Sequence, residues 1–295
     1  MRFDSYHPTI NLIYFTATIA FALWFNHPVF VLIGYLSAFA YSIKLNGLKA
    51  LIFDLCLIPL GAAYALWYAY YNHFGITPVH QNIIGNQITV EALVYGSVRA
   101  ITVITAIMFV TCLFKVFTTD KVVYLFGKIS PKLSLFLSII LRIGPRIKVE
   151  GRRINVAQMG IGRGIGQGNI FQRIWHSLRE LSILITWTLE SFLESTRSMQ
   201  SRGYSLKGRT AFSIYRFDNR DRSFVIAIFA CLVWIFAGVA LNQTAISYDP
   251  QILMNRITPV SFVFYLAYAI LLLLPMILQI MGEKKFERLQ RSCPV

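Results

Sequence analysis

Charge is scarce in this chain, and negative charge scarcest. Asp, Glu, Lys and Arg together make up 14% of its 295 residues, against roughly 25% in ordinary soluble domains. Hydrophobic residues account for 56% and aromatic ones for 15%. Such a deficit excludes a water-solvated surface over the whole chain and makes lipid the solvent for much of it. The charge that remains is one-sided, with 28 Lys and Arg against 13 Asp and Glu, a net +15. An excess of this sign points to nucleic acid, an anionic membrane face or an acidic protein partner, and position along the chain separates these.

Cysteine and histidine are equally thin. Cys56, Cys112, Cys231 and Cys293 are isolated, the first three in apolar stretches, so they read as small hydrophobes. No CxxC or Cys/His spacing supports a metal site. His7, His27, His73, His80 and His176 are scattered, and none pairs with Cys, Asp or Glu at ligand spacing. Asp54 is the one acid well inside an apolar run, with Glu91 at the edge of another. Paired carboxylates for acid–base work or metal binding are missing. The glycine-rich "GIGRGIGQG" at 160–168 lacks the Lys-Ser/Thr of a phosphate loop, fits GxGxxG in no register and follows a helix. Nucleotide binding by either route is excluded, and the expectation is a non-catalytic chain.

Long apolar runs are abundant. A spanning helix needs about 20 largely apolar residues. Residues 10–25 and 28–43, divided by "NHP", are slightly short and read as a tight helical hairpin or as thin, tilted spans. The first has Arg2 and Asp4 before it and no small-residue cleavage site after it, so it reads as retained. Residues 50–71, 92–117, 224–241 and 258–281 bring the number to six. The expected fold is an all-α polytopic membrane protein with about six transmembrane helices: N-terminal spans over 1–117, a cytoplasmic coupling-helix domain over 118–223 and C-terminal spans over 224–295. The 72–89 loop has no charged residue, and 242–257 has Asp249 and Arg256. Lys44 and Lys49 lie between the second and third runs, and Lys284, Lys285, Arg288 and Arg291 follow the last. Positive charge in short loops marks the cytoplasmic side, which puts both termini and the 118–223 segment there.

That segment carries 18 of the 28 basic residues and 7 acidic ones. From Arg173 to Arg202 the apolar positions Ile174, Leu178, Leu181, Ile185, Leu189, Phe192 and Met199 recur mainly at threes and fours, widened by Trp175, Leu184, Trp187 and Leu193. The spacing predicts a long amphipathic helix lying on protein or at the membrane surface. An earlier helix runs from Leu133 to Met159, with Pro145 as a kink, and ends where glycines alternate from 160 to 168. They read as a flexible hinge. Arg163 and Arg202 stand at the ends of these helices. An arginine there complements the last carbonyls, worth about 0.3–1 kcal/mol. Flanked by small residues, it can instead enter a groove on a partner and bind a carboxylate with two hydrogen bonds. Two such tips imply two receiving grooves.

In three places the sequence resembles the transmembrane T component of energy-coupling factor (ECF) transporters. These are "YHPTINLIYF" at 6–15, "ILRIGPRIKVEGRRINVAQ" at 140–158 and, most specifically, "SMQSRGYSLKGRT" at 198–210. The resemblance implies a scaffold in the bacterial inner membrane that joins two ABC-type ATPase subunits to a substrate-binding membrane subunit. ATP and Mg would sit on the ATPases, with no cofactor on this chain, and the cargo would be a vitamin or a transition-metal ion such as cobalt or nickel. Carried over from the family, Gly162-Arg163-Gly164 and Ser201-Arg202-Gly203 would be the ATPase-docking motifs. Gly and Ser stand where the family often has Ala, and the first arginine lies about two residues later than its common spacing. Ile174, Leu178, Leu181, Ile185 and Trp187 would offer a face to the substrate subunit, or pack against the chain's own coupling helices.

Two other functions compete. In a self-sufficient permease or channel, Arg99 would serve the pathway, unless it snorkels or pairs with Asp54 or a helix end. A membrane-tethered nucleic-acid binder would use the basic segment, but its arginines are interleaved with aliphatics and no recognition motif appears. The expectation is therefore no nucleic-acid partner.

Overall fold

A computed structural model describes residues 3–81, 87–204, 206, 215–255 and 257–292. Arg2, Arg256, Cys293 and positions 205 and 207–210 of "SMQSRGYSLKGRT" lie outside them. The chain forms two compact units, Met1–Thr118 with Tyr215–Val295, and Thr119–Ile214.

The first unit holds six apolar helices: α1 (Pro8–Trp24), α2 (Pro28–Asn46), α3 (Leu48–Tyr71), α4 (Val90–Val116), α8 (Asn219–Ala240) and α9 (Pro259–Ser292). All but α1 are long and apolar enough to cross a membrane. α1, with 17 residues, reaches about 25 Å at 1.5 Å per residue, short of the roughly 30 Å hydrocarbon core. Both α1 and α2 open on His-Pro: Pro8 and Pro28 fill the first turn, where a missing N–H costs nothing. The His7 side chain accepts from the Thr9 N–H at 3.3 Å.

α1 and α2 are not the tight hairpin that "NHP" allows. Both pack on α4, which also takes the length of α3, while α9 packs against α2 and α8. Small residues permit the closest approaches. A Cβ at Gly96 would lie 3.0 Å from the Ala65 carbonyl oxygen, one at Gly61 2.5 Å from the Ile104 methyl, and one at Gly238 2.8 Å from the Phe264 ring. In lipid, where apolar side chains gain nothing by leaving solvent, such backbone proximity drives helix association. The interior around α4 contains Tyr14, Tyr41, Met108, Phe109, Tyr268 and Leu272, and the Tyr14 hydroxyl donates to the Leu272 carbonyl at 3.0 Å. Trp24, Leu60, Trp67, Phe229 and Phe236 face outward, the arrangement a lipid-solvated bundle requires.

Two short hairpins that the sequence pattern did not reveal lie in the 72–89 and 242–257 loops. β1 (Pro78–Gln81) pairs antiparallel with β2 (Gln87–Thr89), and β3 (Ile246–Ser247) with β4 (Leu253–Met254). The Tyr248 hydroxyl donates to the Asn26 carbonyl at 2.7 Å, fastening the second hairpin to the α1–α2 turn. Arg99 does not pair with Asp54: its Nε donates to the Tyr95 hydroxyl at 3.1 Å, with the guanidinium 5.6 Å from that ring. Asp54 is fully buried.

The second unit is three helices: α5 (Thr119–Ile129), α6 (Pro131–Gly160) and α7 (Ile170–Ser201). α5 packs on α6, and α6 on α7. α6 extends a little beyond the expected 133–159 and contains Pro145, whose ring removes one helical hydrogen bond. α7 begins three residues before Arg173 and ends one residue before Arg202.

Candidate functional site

The two arginines sit on two glycine-capped helix ends of the same design. At the end of α6, Gly162 takes φ +74°. Its N–H bonds the Met159 carbonyl at 3.1 Å, and the Arg163 N–H bonds that of Gln158 at 2.9 Å. At the end of α7, Gly203 takes φ +77°. Its N–H bonds the Gln200 carbonyl at 3.0 Å, and the Tyr204 N–H bonds that of Met199 at 3.2 Å. Each closure satisfies carbonyls that the helix leaves open and needs a residue without Cβ at the left-handed position. The arginines differ in register: Arg202 precedes its glycine, whereas Arg163 follows its own. Aligned on the caps, Ile161 occupies the place of Arg202, a difference of two residues.

Both arginines are exposed. Among the described residues neither Arg163 nor Arg202 forms a salt bridge, whereas Lys44 pairs with Glu283 and Arg153 with Glu150. Large apolar side chains stand beside each. Near Arg163 are Ile161 (67% exposed) and Phe171 (87%), and near Arg202 is Leu206 (73%). Sequence periodicity missed these three because they fall at caps, where no helical stripe predicts a facing. Their signal was adjacency to a left-handed glycine. An exposed charge with exposed hydrophobes close by in sequence has the composition of an interface hot spot.

Between the helices, Gln167 ties the turn. Its Oε1 accepts the Gly164 N–H at 3.1 Å, its Nε2 reaches the Met159 carbonyl at 3.5 Å and its own N–H bonds the Gly164 carbonyl at 3.0 Å. Asn169 and Gln172 then form a reciprocal cap on α7. The glycine run read as a hinge is thus a cross-tied turn.

α6 and α7 run antiparallel. Ile139 and Arg142 share a groove with Ser195 and Met199, while Asn155 and Ile165 share another with Ser177 and Glu180. Arg163 therefore lies near where α7 begins and Arg202 where it ends, with the 32 residues of α7, about 48 Å of helix, between them. Of the stripe proposed for the substrate subunit, Ile174, Leu178 and Ile185 face outward, each at least 50% exposed. Leu181 edges the groove shared with α6. Trp187 turns inward and lies under Arg146, whose guanidinium is 5.2 Å from its ring. Glu180 is buried in the α6–α7 seam with Oε1 unpartnered among the described residues. Burial pushes its carboxyl above the usual carboxylate range, with His176 opposing. Among the described residues no group of three or more His, Cys, Asp or Glu is placed to hold a metal ion.

The helices and their solvation define a multi-pass all-α membrane protein. No family model matches the chain. It is 31% identical over 113 residues to the energy-coupling factor transporter transmembrane protein EcfT of Bacillus selenitireducens (strain ATCC 700615 / DSM 15326 / MLS10), a stretch covering 38% of this chain and 40% of that protein. That protein is a member of the family this chain's sequence resembles, and the chain spans about two fifths of the length of this relative.

Proposed function

We propose that this chain is the energy-coupling subunit of an ECF-type importer, transmitting the ATP-driven movement of two ABC-type ATPase subunits to a substrate-binding membrane subunit. One observation carries the reading: two exposed arginines without acidic partners among the described residues, each at a glycine-capped helix end with exposed apolar side chains close by in sequence, stand at opposite ends of α7. Two separated tips suit two receiving grooves on a pair of subunits. Each guanidinium would take a carboxylate bidentately at the groove floor, with Ile161, Phe171 and Leu206 excluding water around it. The outward face at Ile174, Leu178 and Ile185 supplies an apolar surface for the substrate subunit. In this reading the cargo is a vitamin or transition-metal ion selected elsewhere, ATP and Mg are held by the ATPases, and this chain catalyses no reaction. Its membrane is the bacterial inner membrane, with both termini cytoplasmic.

The test is co-purification of the ATPases with Arg163→Glu, Arg202→Glu and the double variant. Each single substitution is expected to lower ATPase recovery at least tenfold, a loss of about 1.4 kcal/mol or more, with membrane insertion unchanged. Full recovery with the double variant would refute the docking assignment.

A further inference from the structure

Arg142 and Arg146 stand one turn apart on α6 and line an open groove whose opposite wall is the second half of α7. No acidic side chain lines it, and neither arginine belongs to a salt bridge among the described residues. Like charges at this helical spacing repel. Arg146 is held over Trp187, which positions its guanidinium without neutralising it. The hydroxyls of Thr188, Ser195 and Thr196 donate to α7's own carbonyls at 2.7–2.8 Å, leaving the guanidiniums as the charged donors of the groove. Next to them the lining is apolar, from Ile139, Ile143, Phe192 and Met199.

Two guanidiniums without acidic partners among the described residues, beside the apolar side chains of Ile139, Ile143, Phe192 and Met199, match a ligand that is anionic at one end and hydrocarbon at the other. A free anion would leave Ile139, Ile143, Phe192 and Met199 unused. The second unit begins at Thr119, three residues after the apolar helix α4 ends at Val116, so the chain that carries the groove follows directly on a membrane helix. Basic side chains on such segments attract acidic headgroups. We propose that the Arg142/Arg146 groove binds an anionic glycerophospholipid, its phosphate on the two guanidiniums and an acyl chain along the apolar floor. Arg163 and Arg202 play no part in it, so the site stands or falls apart from ATPase docking.

The experiment follows quenching of tryptophan fluorescence in the detergent-solubilised full chain by phosphatidylglycerol with brominated acyl chains, against phosphatidylcholine with the same chains. Trp187→Phe identifies the part of the signal that comes from the groove. Phosphatidylglycerol is expected to quench that part at a concentration on the order of tenfold lower than phosphatidylcholine, from two charge contacts. R142Q/R146Q should erase the preference, and R142K/R146K, which keeps the charge and guards against a folding artefact, should retain most of it. Equal quenching by the two lipids, or a preference that survives R142Q/R146Q, overturns the proposal. So does competition by glycerol 3-phosphate at the same concentration as the lipid, which would make the site one for a free anion. Loss of ATPase recovery in R142Q/R146Q without any lipid preference in the parent chain would likewise overturn it, making the groove an acidic protein's seat.

Discussion

At the residue scale, the positive-φ glycines are as consequential as the arginines they present. Nothing within 4 Å would meet a Cβ at Gly162, so Gly162→Ala tests backbone conformation alone. The left-handed geometry should cost about 1–2 kcal/mol, read as local loss of amide-exchange protection over the last turn of α6. Glu180 gives a pH-dependent prediction. Burial raises its carboxyl in the folded chain, so the folded state holds this proton more tightly than the unfolded state. Ionisation at Glu180 therefore destabilises the fold above that raised pKa, and the penalty fades as pH falls through the unfolded value. Glu180→Gln should raise the melting temperature at pH 8 and leave it unchanged near pH 4, as measured by thermal unfolding in detergent. The arginines were visible in sequence, and the resemblance marked the first as about two residues late; which glycine caps its helix was not visible. "GIGRGIGQG" offers five glycines, and which of them turns left-handed depends on carbonyl pairing back to Gln158 and Met159, which letters alone do not contain. The partner of Arg99 was hidden for a similar reason: Tyr95, one turn away, supplied both a hydroxyl and a ring face.

At the element scale, apolar run length located the spans well, because lipid imposes one requirement on them all. It said little about which helices touch. That is set by small residues such as Gly61, Gly96 and Gly238, whose absent side chains admit a neighbour. Gly238→Val would drive a side chain into the Phe264 ring of α9, and overpacking of this kind costs about 1–3 kcal/mol. A lowered melting temperature with normal membrane insertion is the expected result, and Gly238→Val with Phe264→Ala should recover part of the loss. The short hairpins escaped notice because strands of two to four residues are too short to show a usable alternation. The α6–α7 turn read as a hinge for want of side chains, yet Gln167 braces it. Trp187, one of the stripe on α7, turned out to face α6, since a wide apolar stripe does not say which edge meets the neighbour.

At the scale of the whole molecule, six apolar helices put both ends of the chain on one side, provided that the 17-residue α1 crosses. Cysteine labelling decides this. His80→Cys, in the first hairpin, should react with an impermeant reagent from outside the cell, and Lys285→Cys only after permeabilisation. Labels on the same side would show that the chain crosses in another order. The fold class was legible from composition because 14% charge in 295 residues leaves no other solvent than lipid for so many exposed Leu, Phe and Trp side chains.

The unbroken length of α7 has a mechanical corollary. A hydrogen-bonded rod of 32 residues does not stretch, so in the proposed reading two seats gripping its ends can approach along one direction only if the rod tips out of that line. Any closing stroke applied at those seats must emerge as a change of angle, and the outward face carrying Ile174, Leu178 and Ile185 would sweep through an arc with it.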